Sequence, residues 1–162
     1  MQVLIAYGKF RQISLFSVIL QHEDTTMPHQ LIHLAEENGI AIEYFNTETD
    51  IEAVYMALPE CPPVIWLPKN VKTRYHLRSL LAHELGHHFT TGKSTTGKVF
   101  LHYRDRVEAN REEARAWRWA ANYLIPDATL KEVLSENFCE IWQLADFFEV
   151  DEEVVKIRFK NL

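Results

Sequence analysis

The stretch from Lys72 to Phe89 constrains the fold most. Its leucines at 77, 80, 81 and 85 recur at helical spacing and carry His83, Glu84 and His87 on the same helix. Residues four apart lie one turn apart on one face, so both imidazoles can converge on a single ion. Glu84 follows the first histidine directly and points beside such an ion, which suits a base acting on metal-activated water. Neutral imidazole suits zinc, and a carboxylate can accept a proton where an amide or hydroxyl cannot. Gly86 stands in the helix interior, where glycine costs about 1 kcal/mol against alanine, so a close approach by another element is expected there.

Two histidines leave the coordination incomplete, and no cysteine lies nearby, as expected of an open catalytic site rather than a closed structural one. An extension of the motif to a third histidine needs glycine at 90 and histidine at 93, where the chain has Thr90 and Lys93. The better source is a second helix, predicted from Val107 to Ile125 and ended by Pro126. Ala109, Ala116, Ala120 and Leu124 form a stripe on it, and Glu113 falls in the gap of that stripe. A carboxylate among small apolar residues is expensive to bury unless paired or metal-bound. Glu113 is therefore the leading third ligand, with Glu112 and His102 as alternatives. His88 is about 100° around the helix from His87, and His22, His29, His33 and His76 have no matching partner pattern.

Elsewhere, Pro28 to Asn38 reads as a helix stopped by Gly39, and Ile40 to Phe45, Ala53 to Leu58 and Val64 to Leu67 as strands. Thr90 to Arg106 reads as loop or hairpin. After the second helix, Leu130 to Phe148 reads as helix with a break near Glu136, followed by a last helix from Glu152 to Leu162. Helix, sheet, then helices is the order of an α+β domain. The expected division is an N-terminal extension over 1–27, a main domain over 28–126 and a C-terminal helical segment over 127–162. Residues 140–162 have the outline of a helix-turn-helix, but its second helix opens on Asp151, Glu152 and Glu153, which would meet phosphates badly. The net charge of -6 also argues against nucleic acid as partner, although Lys69 to Arg118 holds 11 of the 17 basic residues. The two cysteines, Cys61 and Cys139, form no disulfide framework and suit a reducing compartment. The apolar run Ile13 to Leu20 is too short to span a bilayer and is followed by no small-residue cleavage site, so a cytoplasmic protein is expected.

The string His83-Glu84-Leu85-Gly86-His87, together with Glu113-x-x-Ala116-x-x-Trp119-Ala120-x-x-x-Leu124-Ile125-Pro126, resembles the ImmA/IrrE metallopeptidases. Trp119 stands where phenylalanine is common in that family. The resemblance extends through Leu34-Ala35, Gly39-Ile40, Val64-Ile65 and Leu144-Ala145-x-x-Phe148-x-Val150. It implies a small zincin-like domain, a short sheet packed on the helices that carry the motif. It also implies one Zn2+ held by His83, His87 and Glu113, with Glu84 catalytic, and a protein substrate. That substrate is a helix-turn-helix repressor in the anti-repressor members and is expected to be one here. Tyr103, His102 and Tyr123 are candidates to support the oxyanion. The alternative is a zinc-containing regulatory or DNA-binding module that cuts nothing.

Overall fold

The computed structural model of the protein describes residues 28–46, 51–91, 98–103, 111–136 and 140–162. The expected N-terminal extension, Gly92 (placed in sequence to stop the helix that carries the motif), Ala109, Cys139 and the start of the second helix before Arg111 lie outside these residues. The elements are α1 (Pro28–Glu37), β1 (Ala41–Phe45), β2 (Ile51–Ala57), β3 (Val64–Pro68), α2 (Arg74–Thr90), β4 (Lys98–Tyr103), α3 (Arg111–Leu124), α4 (Asp127–Ser135), α5 (Ile141–Phe148) and α6 (Glu152–Lys160). This is the expected α+β class.

The described strands make one sheet in the order β1-β3-β2-β4. β1 runs parallel to β3, while β2 is antiparallel to both β3 and β4. Alternation works as the pleat requires: Ala53 and Tyr55 on β2, and Ile65 and Leu67 on β3, point into the core, with Tyr55 opposite Ile65. Gly39 ends α1 with φ +68°, a backbone that favours glycine, and Ile40 N–H donates to Ala35 O at 2.9 Å. At the start of α2, the Thr73 hydroxyl accepts from His76 N–H at 3.1 Å.

The sequence predicts an apolar stripe on α2, but every residue from Arg78 to His87 is buried, polar ones included. The helix packs on β2 and β3, on α1 and on α3, so it has no solvent face over these turns. The segment from Leu130 to Phe148 is divided near Glu136, where a break is expected: α4 begins directly after Pro126 and ends at Ser135, and α5 begins after Glu140. Leu130, Val133, Leu144, Phe148, Val154 and Val155 nonetheless share one core with Leu80 and Leu85.

Buried cations tie this C-terminal region down. Arg78 donates to Glu149 O at 2.8 Å and also to Phe148 O, which satisfies carbonyls at the end of α5. Burial lowers its guanidinium to about 10, with Glu149 opposing that shift, so it stays charged near neutrality. Ser79 Oγ accepts from Asp151 N–H at 3.0 Å, and Arg74 pairs with Glu149. Arg158 on α6 donates to Ile125 O at 2.9 Å and pairs with Asp127. Among the described residues no helix is long and apolar enough to cross a membrane. Cys61 is exposed and free.

Candidate metal centre

α2 and α3 cross at Gly86. A Cβ placed there would lie 2.4 Å from Ala116 O and 2.9 Å from Ala116 C and Cα. Only a residue without a side chain permits that contact, which is the close approach expected from glycine in mid-helix. On α3 the matching surface is Ala116, Ala120, Ala121 and Leu124, all buried. Glu113 lies one turn before Ala116, so the crossing carries its carboxylate to the two histidines.

The resulting cluster is tight. His83 Nε2 is 3.1 Å from Glu113 Oε2, His87 Nε2 is 3.2 Å from Glu113 Oε1, and the two Nε2 atoms are 3.1 Å apart. His83, His87 and Glu113 are the one group of this kind among the described residues that could hold a metal ion. Four-coordinate zinc with bonds of about 2.0–2.1 Å spaces its ligand atoms roughly 3.3 Å apart, close to each of these three contacts, with Glu113 meeting one histidine through each of its oxygens. Two imidazole nitrogens at 3.1 Å cannot both point a proton at each other, whereas two lone pairs can share a cation.

Glu84 supports the same fit. It is fully buried, and neither carboxylate oxygen has a hydrogen-bond partner among the described residues. Burial first, and then the charge of Glu113, push its carboxyl well above the usual carboxylate range. Burial also works to raise Glu113, but hydrogen bonds from His83 and His87 and their charge outweigh it and hold that carboxyl below the usual range. A buried carboxylate, a half-buried one and two buried imidazoles brought together form an arrangement that a dication stabilises.

The structure brings all four leading residues together and sorts the others. Glu112 is half-buried and outside the cluster, and the His102 and Tyr103 side chains lie outside the described residues. Tyr123 is ten residues beyond Glu113 on α3, about 15 Å of helical rise, and stacks on Trp119 at 5.1 Å. It does not reach the cluster. His88 Nδ1 is 2.9 Å from the Tyr55 hydroxyl, His33 lies beside Glu36 and Glu37, and His76 lies between Asp151 and Glu52. Two aromatic neighbours were not anticipated from sequence. Trp117 stacks on His83 with ring centroids 4.1 Å apart, and Tyr55 lies nearly parallel to His87 at 6.4 Å. The spacing of Trp117, four after Glu113, was the available signal.

No curated protein matches the chain. Residues 35–160 match the family described as IrrE N-terminal-like domain, a group of M78 peptidases. That match runs from within α1 to the end of α6 and takes in both helices of the cluster. The chain therefore belongs to the ImmA/IrrE family and carries its metallopeptidase-like domain.

Proposed function

We propose that the protein is a zinc-dependent endopeptidase acting on a helix-turn-helix repressor in the cytoplasm. His83, His87 and Glu113 hold one ion, and Glu84 moves the proton. The convergence of the two Nε2 atoms and the Glu113 carboxylate, each histidine within 3.2 Å of one of its oxygens, beside a buried Glu84 with no hydrogen-bond partner among the described residues, carries this reading. Zinc, when bound, supplies a Lewis acid that polarises the scissile carbonyl and makes a coordinated water acidic near neutrality.

The chain's own residues do the rest. Fixed on α2, both histidines present Nε2 in one direction, and Glu113 supplies the negative charge that two neutral imidazoles lack. Glu84 is fully buried beside the histidines, and its carboxylate can accept a proton where an amide could not. It takes a proton from the attacking water and returns it to the leaving amine, which closes the cycle without a second acid. Burial of His83, Glu84 and His87 at 1% exposure or less keeps bulk water from competing for that proton.

The repressor as substrate follows from the family resemblance. Charge on α6 supports a protein rather than DNA as partner, because Lys156 lies 3.9 Å from Glu152 and 3.6 Å from Glu153 and its charge is locally balanced. The test is incubation of the zinc-loaded protein with a repressor encoded beside its gene. The wild type yields discrete fragments, while Glu84→Gln keeps its zinc and cuts about 10²–10⁴-fold more slowly. Undiminished hydrolysis by Glu84→Gln contradicts the role given to Glu84.

A further inference from the structure

We propose that Trp117 is a positioning residue for the metal centre: its indole, stacked on His83, sets the plane in which that imidazole presents Nε2. This rests on the metal reading above and adds a residue that neither half of the motif contains.

The geometry is a crossing of two helical pairs. On α2, His83 and His87 are one turn apart, and on α3, Glu113 and Trp117 are one turn apart. At the crossing, His83 meets both members of the second pair, Glu113 Oε2 at 3.1 Å and the Trp117 ring at 4.1 Å with 26° between planes. A flat ring parallel to the imidazole resists rotation about its last side-chain torsion, which otherwise has a broad profile. Partners that orient a liganding histidine typically change metal affinity 10–100-fold when removed. Because Gly86 and Ala116 are already in backbone contact, the helices cannot close further to fill the space left by the indole.

The second tryptophan of α3 provides an internal control. Trp119 lies on the other flank of the helix and stacks on Phe89 at 4.8 Å and on Tyr123 at 5.1 Å. It belongs to a different aromatic row and has no part in orienting His83.

The experiment is a Co2+ titration of the metal-free full chain, followed by visible absorption, with Zn2+ affinity measured by competition. Wild type, Trp117→Phe, Trp117→Leu and Trp119→Leu are compared, each checked by thermal melting. Trp117→Leu is expected to lose about tenfold in affinity and to show an altered Co2+ spectrum, because the flat ring is gone. Trp117→Phe should stay within about threefold of wild type, and Trp119→Leu should match it. Wild-type affinity and spectrum in Trp117→Leu would overturn the proposal, as would equal losses in the Phe and Leu variants. Failure of the wild type to take up either metal would remove the centre itself, a different result from metal uptake that is indifferent to residue 117. Should the Leu variant not fold, Co2+ quenching of tryptophan emission decides: Trp117→Phe must lose most of the wild-type quench, and an undiminished quench overturns the assignment.

Discussion

Replacing Gly86 with alanine adds one methyl group where α2 meets α3. That methyl would stand 2.4 Å from Ala116 O, while ordinary contact begins near 3.4 Å, so the two backbones must separate by about 1 Å. Two effects oppose each other. Alanine in mid-helix gains about 1 kcal/mol of propensity over glycine. Overpacking against a rigid backbone costs about 1–3 kcal/mol and has no flexible side chain to absorb it. The net loss is expected to be up to about 2 kcal/mol, or at most roughly 8 °C in Tm for a chain of this size. The same separation carries Glu113 away from His83 and His87, stretching contacts of 3.1 and 3.2 Å toward 4 Å. Metal affinity should then fall more than stability does, by at least tenfold. Melting of the metal-free protein and Zn2+ competition measure the two separately. A Gly86→Ala variant that is as stable as wild type and binds zinc equally well would refute the claim that this crossing sets the ligand geometry.

Two further perturbations test how the C-terminal helices are held. His76 is raised above its ordinary value chiefly by its hydrogen bond to Asp151 at 2.7 Å, with burial opposing and Glu52 assisting. Its stabilising contribution is therefore complete below the unfolded value of about 6.5 and fades as pH rises through the higher folded value. The Tm difference between wild type and His76→Gln should be largest in mild acid, worth about 0.5–1 kcal/mol for a partly exposed pair, and shrink in mild base. A difference independent of pH contradicts it. Arg78→Met leaves Phe148 O and Glu149 O without their buried donor and should destabilise by about 2–3 kcal/mol, read as a Tm drop of roughly 4–12 °C. A drop under 2 °C would show that water or a shifted side chain replaces the guanidinium.

What could be read from sequence was what depends on local spacing. His83, Glu84 and His87 share a face because of helical period alone, and Glu113 stood out because a carboxylate interrupts a stripe of alanines. Gly86 announced a close contact by its helical cost, though not that Ala116 would supply it. Features that require the crossing geometry were not legible. Trp117 and Tyr55 come beside the imidazoles only where two helices and a strand meet. Arg78 belongs to the basic stretch from Lys69 to Arg118, yet it is 1% exposed and donates to carbonyls at the end of α5. The division of the segment from Leu130 to Phe148 was visible only as a weak point near Glu136, since both halves carry apolar residues at helical spacing.

The central claim is that Glu113, thirty positions from the first histidine and on another helix, completes a zinc site. Elemental analysis of untagged wild type and Glu113→Ala, after metal-replete purification, tests it most directly. About one zinc per chain in the wild type, lost or much weakened in the variant while the fold persists, is the predicted result. A full complement of zinc in Glu113→Ala, or none in the wild type, would contradict it.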